Sequence, residues 1–144
     1  MGEVNEKPLL ILGGGLMGLA IAHELAQKGK RVEILSRSRS EAAGFVAAGM
    51  LAPHAEGLQG ELLSLGQTSL QRHPRWIESI ETNSKMSCGL KTCGIVVPFE
   101  NLKDCESYPT YKFGEKLNRN ELLQEIPGLS TKWNLGLLFR QDGQ

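Results

Sequence analysis

The sequence predicts an α/β chain that opens with a parallel βαβ unit and continues into an α+β region with antiparallel strands. Three observations predict it. An apolar run, "PLLIL" at 8–12, ends in glycines. The turn Gly13-Gly14-Gly15-Leu16-Met17-Gly18 then leads directly into an amphipathic stretch, and "RVEILS" at 31–36 returns as a second apolar run. Strand, tight turn, helix and strand within about 30 residues close a right-handed crossover. The sheet is incomplete, because only two strands fit a parallel layer and a doubly wound domain uses more.

Each element has a local cause. Consecutive apolar residues at 8–12 suit a parallel strand buried on both faces. The helix starts at Leu16, turns Leu19, Ile21, Ala22, Leu25 and Ala26 toward the sheet, and ends at Lys28. Gly29 is then the residue after the cap, and Lys28 and Lys30 complement the negative helix end. A polar loop, "SRSRSEAAG", and a small-residue stretch, "AAGMLAPHAE" (47–56), follow the second strand. Residues 61–82 read as a helix burying Leu62, Leu65, Leu70, Trp76, Ile77 and Ile80, with Pro74 interrupting it or starting a new turn. "GLKTCGIVVPF" (89–99) reads as a β-hairpin turning at Cys93-Gly94. Residues 118–130 form a short helix with Asn118 or Asn120 as N-cap, stopped by Pro127-Gly128. "LGLLF" is a last strand and Asp142-Gly143 a turn. A turn normally precedes the strand it returns to, so the chain reads as cut short.

Composition excludes several classes. The 144 residues are 40% hydrophobic and 22% charged, which describes a globular chain with a core. Sixteen basic and sixteen acidic residues cancel, leaving no footprint for nucleic acid or an anionic membrane. The apolar start is broken by glycines and followed by His23 and Glu24, unlike a membrane span. "MGEVNEKP" has two acids and no basic lead-in, unlike a signal peptide. Cys88, Cys93 and Cys105 lack metal-ligand spacing, so no metal is expected, and reduced thiols in a cytoplasmic protein are the simplest reading.

The glycine turn carries the chemistry. Gly13 permits the tight turn, Gly15 lets the backbone approach a pyrophosphate, and Gly18 lets helix and strand pack closely. Leu16 and Met17 open the helix, whose N-terminal amides and positive dipole end face the phosphates. Between a strand and a helix, this spacing points to a dinucleotide. The usual ribose-binding acid is missing: its position holds Ser36, and Glu33 lies too early in the strand. Ser36-Arg37-Ser38-Arg39 instead offers hydroxyls and guanidinium forks that suit the 2′-phosphate of NADP. On these residues alone FAD and NADP both stay open, and an NADP-dependent reductase is a competing reading.

The region after the second strand resembles another pattern. "AAGMLAPHAE", with Ala47, Ala48, Gly49 and Met50, resembles the corresponding segment of the D-amino-acid-oxidase family, most nearly its glycine-oxidising members of thiamine biosynthesis. "GQTSLQRHPRWIESI", "CGIVVPF", "ELLQEIPGLS" and "QDGQ" resemble later family segments in the same order. The resemblance implies FAD as cofactor, with Gly49 allowing close approach beside the pyrophosphate and ring. It implies a small amino acid or amine as substrate, hydride transfer to the flavin and reoxidation by O₂. It also implies that residues 1–83 begin the FAD-binding domain and 84–144 begin the substrate domain. The incomplete sheet leaves an open edge and exposed apolar surface, so self-association is expected. Family members are well over twice this length, and the residues that hold the substrate carboxylate have no counterpart here. No catalytic residue is assigned, and the 144 residues alone are expected to be inactive. Two departures stand out: Ser36 replaces the family's acid, and Gly44-Phe45-Val46 lacks the hydroxyl that often precedes AAGML.

The remaining residues read as structural. His23 faces out, His73 is a surface helix residue, and His54 is a supporting histidine beside the cofactor. Met17 and Met50 are packing groups near it, while Trp76 and Trp133 are core or interface anchors. A Ser–His–Asp hydrolase is not supported: there is no GxSxG elbow and no acid placed to orient a histidine. A third reading, a non-catalytic nucleotide-binding module, keeps the turn without catalysis.

Overall fold

A computed structural model describes residues 7–144. Residues 1–6, on which part of the reading against a signal peptide rests, lie outside the described residues. The chain divides into two compact units, one ending at Gly49 and the other running Met50–Gln144.

The first unit is the predicted βαβ: β1 (Leu9–Leu12), α1 (Leu16–Gln27) and β2 (Val32–Leu35). The strands pair in parallel, from Leu9 with Val32 to Leu12 with Leu35. Lys28 caps α1, and Gly29, at φ +71°, lets the chain leave the helix in the left-handed region. Two 3₁₀ turns, Arg39–Glu41 and Ala43–Phe45, occupy the polar loop. The expected burial of the strand and helix face is not found: no described residue of this unit is buried. Leu10, Leu12, Leu16, Met17 and Leu35 are each 61–75% exposed. The physical reason is the layer count, since parallel strands become buried only when helices cover both faces of the sheet.

The second unit holds α2 (Gly60–Ser84), β3 (Ile95–Phe99), α3 (Leu102–Glu106), β4 (Glu115–Asn118), α4 (Arg119–Glu125) and β5 (Leu135–Phe139). Its sheet is antiparallel, in the order β3-β5-β4. Central β5 is apolar on both faces, and its side chains alternate between two cores. Leu137 and Phe139 pack with Phe99 and Cys105 on one side. Leu138 packs with Leu117 and Leu122 on the other, where Trp133 is half-buried.

Local chemistry sets the boundaries here. The Asn118 side chain accepts from the amides of Asn120 and Glu121, at 2.9 and 3.1 Å, and Glu121 accepts from the Asn118 amide at 2.7 Å. This reciprocal cap starts α4. The helix ends at Glu125, with Ile126 as its cap at φ −129° directly before Pro127, the stop expected from the sequence. Arg119 then shapes the following loop by donating to the carbonyls of Leu129, Ser130 and Trp133.

Further expectations from the sequence are corrected in this unit. No hairpin forms over 89–99. Lys91 exchanges backbone bonds with Gln144, Gly94 donates to the Asp142 carbonyl, and β3 pairs with β5. The segment is therefore committed to the far end of the sequence along its whole length. Nor does Pro74 break α2, which runs continuously through it; the remaining helical bonds outweigh the one amide that proline lacks. Of the side chains expected inside, Leu62 and Leu65 are exposed, while Leu70, Trp76, Ile77 and Ile80 are half-buried.

Leu122 is fully buried, so Leu122→Ala lowers the stability of the second unit by about 2–5 kcal/mol in urea unfolding. Burial pushes the Cys105 thiol up, while Cys88 and Cys93 are exposed. Iodoacetamide therefore modifies those two in the folded chain and reaches Cys105 only after denaturation, as mass spectrometry reads directly.

Candidate functional site

The glycine turn is built by close backbone approach. Gly13, at φ +109°, sits in a region that L side chains avoid, and its amide donates to the Leu35 carbonyl at 2.8 Å, tying the turn to the end of β2. A Cβ on Gly18 would lie 2.0 Å from the Gly13 carbonyl oxygen, so only glycine lets α1 approach the turn this closely. A Cβ on Gly15 would meet nothing within 4 Å: that side of the backbone is open.

Gly15 is the N-cap of α1, in extended conformation, and no side chain caps the helix. Its first turn also contains no acidic residue. Helix N-termini leave several amides without intrahelical partners, and here they are offered outward with the positive end of the dipole. Leu16 and Met17 flank them, both exposed. Ser36 follows β2 directly, and its hydroxyl oxygen lies 2.9 Å from the position of a Cβ on Gly14. Gly13, Gly15, Leu16, Met17, Gly18 and Ser36 thus converge on one end of this unit.

Arg37 points elsewhere. Its guanidinium pairs with Glu41, four residues on, through both Nε (2.7 Å) and Nη2. The fork that would hold a 2′-phosphate already has a carboxylate partner. Ala47 and Ala48 continue an irregular segment, and Gly49 adopts φ +78°. Met50 opens the second unit and is exposed.

The second unit contains a buried polar network that the sequence did not reveal. His54 Nδ1 lies 2.7 Å from Asp142 Oδ1. Asp142 Oδ2 accepts from the amides of His54 (3.1 Å) and Ala55 (2.7 Å). Gln67 Nε2 is 3.1 Å from His54 Nε2. With the Gln67 amide as donor, the ring is the Nδ1–H tautomer and its proton faces Asp142. Thr110 Oγ1 donates to the His54 carbonyl at 2.5 Å, and the Tyr108 hydroxyl donates to the Ala55 carbonyl at 2.6 Å. Burial, and secondarily the charge of Glu56, push the Tyr108 hydroxyl up, which keeps it a donor.

An acid does therefore orient a histidine, contrary to the expectation from sequence. The pair is 88 residues apart, and Asp142 reads locally as an ordinary turn residue, so no sequence signal connects them. A cleft of about 580 Å³ opens beside the network, with His54, Gln67, Lys91, Phe113 and Gln141 in its walls. No carboxylate lines it. Among the described residues there is no group of three or more His, Cys, Asp or Glu able to hold a metal ion. No helix among them is long and apolar enough to cross a membrane.

Residues 9–144 match the family described as FAD dependent oxidoreductase, DAO. The chain belongs to this family. It is 47% identical over 93 residues to the bifunctional protein ThiO/ThiG of Synechocystis, covering 62% of this chain and 14% of that protein. To the Nostoc protein of the same name it is 39% identical over 144 residues, covering 96% and 22% respectively. Among solved structures, the glycine oxidase of Geobacillus kaustophilus superposes with a TM-score of 0.83 at 27% identity, covering 94% of this chain and 40% of that one. The chain thus spans less than a quarter of the two ThiO/ThiG proteins. For a DAO-family chain the chemistry of the glycine turn fits the expected cofactor: an open backbone face, uncapped helix amides and a nearby hydroxyl are groups that can hold a pyrophosphate and a ribose.

Gly18→Ala forces the Gly13 carbonyl and α1 apart. The expected outcome is faster amide exchange at Gly13 and Leu9 with little change in β5, measured by hydrogen exchange.

Proposed function

We propose that this chain carries the first part of the FAD site of a flavin-dependent amino-acid oxidase of the glycine-oxidising type, acting in thiamine biosynthesis. The observation that carries the reading is the uncapped N-terminus of α1 behind an open glycine turn, in a chain of the DAO family. The ThiO/ThiG and glycine oxidase relatives support the substrate class, a small amino acid.

When bound, FAD supplies the two-electron chemistry, accepting a hydride from the substrate Cα and passing the electron pair to O₂ to give H₂O₂. This chain's residues bind and orient. Gly13, Gly15 and Gly18 shape the turn, and the α1 amides at Leu16 and Met17 hold the pyrophosphate. Ser36 meets the adenosine ribose through a neutral hydroxyl. Arg37 joins that contact by exchanging Glu41 for the cofactor. Ala47, Ala48 and Gly49 line the cofactor with little more than backbone, and Met50 adds an apolar, polarisable side chain.

The reading assigns residues 1–83 to the FAD-binding domain and 84–144 to the start of the substrate domain, a division by role. It assigns no catalytic residue to this chain, and the 144 residues alone do not turn over an amino acid. Free exposed thiols at Cys88 and Cys93 suit the reducing cytoplasm. The apolar side chains exposed around β1 and α1 favour self-association.

A competition titration of the purified chain with FAD and NADPH tests the reading. Tighter FAD binding is expected, with Gly15→Val abolishing it by filling the open face. A preference for NADPH overturns it.

A further inference from the structure

The cleft beside the His54 network is built entirely from residues of the second unit. At about 580 Å³ it has the size of a small-molecule site. Leu70, Leu90 and Phe113 give it apolar walls, and Gln67 and Lys91 give it polar ones. No carboxylate lines it, and Lys91 forms no ion pair among the described residues. One uncompensated positive charge beside apolar surface favours an anion with an apolar body.

Gln67 supplies the second half of the recognition, because its amide has only one workable orientation. Asp142 accepts the Nδ1 proton of His54, which leaves Nε2 of the ring as an acceptor. That nitrogen takes its hydrogen bond from Gln67 Nε2, 3.1 Å away. A flipped amide would set Gln67 Oε1 against the ring lone pair, acceptor against acceptor. His54 and Asp142 are essentially without solvent contact, so water cannot relieve that mismatch. Gln67 Oε1 is therefore turned away from the ring. It accepts no hydrogen bond among the described residues. No buried side-chain oxygen or nitrogen among them is left unpaired, so this oxygen is open to a ligand.

We propose that this cleft binds a small carboxylic acid with an apolar body and a hydroxyl or N–H group. The carboxylate pairs with Lys91, the body packs on Leu70, Leu90 and Phe113, and the donor meets Gln67 Oε1. No residue of the glycine turn takes part, so the assignment stands independently of the flavin reading.

The test titrates the full 144-residue chain at neutral pH with three matched probes. 4-Hydroxyphenylacetate has the charge, the apolar ring and the donor. 4-Hydroxyphenylacetamide lacks the charge, and phenylacetate lacks the donor. Heteronuclear NMR follows the Gln67 side-chain amide and the backbone amides. Saturable shifts are expected at Gln67, Leu70, Leu90, Lys91 and Phe113. The hydroxylated acid should bind about fivefold more tightly than its amide and about threefold more tightly than phenylacetate.

Lys91→Met changes an exposed side chain, so the melting temperature should hold. It is expected to bind the acid and the amide equally while still preferring the hydroxylated acid to phenylacetate. Gln67→Met is expected to do the reverse, losing the preference for the hydroxyl and keeping that for the charge. Should Gln67→Met fail to fold, the Lys91→Met comparison decides alone. The assignment is overturned if the hydroxylated acid gives no saturable shift, or if its shifts fall outside the cleft. It is equally overturned if the wild-type chain binds acid and amide alike, or if Lys91→Met still prefers the acid.

Discussion

Asp142 has no exposed surface, so every hydrogen bond its carboxyl group would make with water must be replaced within the protein. The replacements are two backbone amides and one ring nitrogen, all from His54-Ala55. The same turn offers its backbone to both neighbours. The Asp142 carbonyl accepts from Gly94, Gly143 pairs with Leu51, and Gln144 pairs with Lys91. One three-residue stretch therefore joins the start of the second unit to the segment entering β3. Because β5 ends three residues before Asp142, the turn also hands the order of the central strand to both of those segments. The two cores on either face of β5 depend on that strand being where the turn holds it.

The first unit is held by different means. It has no buried residue among those described, so hydrophobic burial contributes little to it. What remains is the parallel ladder of β1 and β2, the bond from Gly13 to Leu35, and the close fit of Gly18 against the turn. Exposed Leu10, Leu12 and Leu35 represent apolar surface whose stabilisation has not been realised. Any ligand or surface that covers them adds its binding energy directly to the stability of this unit.

How much of this was legible in the sequence follows from the range of each interaction. The glycine turn, the end of α1 at Lys28-Gly29, the cap at Asn118 and the doubly apolar β5 are all written within a few residues, and the structure holds them as read. Features fixed by distant partners were not legible. Local pattern made a hairpin of 89–99 because Cys93-Gly94 looks like a turn. The outcome is set by Gln144 and Phe139, which take up the backbone bonds of Lys91 and Ile95. Short polar β4 and α3 gave no periodic signal and form because β5 and Asn101 recruit them. The His54–Asp142 pair has the same origin: each residue is ordinary in its own context, and only the fold joins them.

The site inherits this division between local and distant causes. The groups proposed to meet the phosphates lie within the first turn of α1 and the glycines before it, and a single continuous stretch specifies them. The proposed ribose contact is weaker in kind: Ser36 carries no charge, and the guanidinium of Arg37 is occupied by Glu41. An uncapped helix end attracts any pyrophosphate, flavin or nicotinamide alike. After β2 and its polar loop, Ala47 to Gly49 are small and exposed, and Met50 carries an exposed thioether. That stretch ends at the residue before Leu51, the first one the Asp142-Gly143 turn secures.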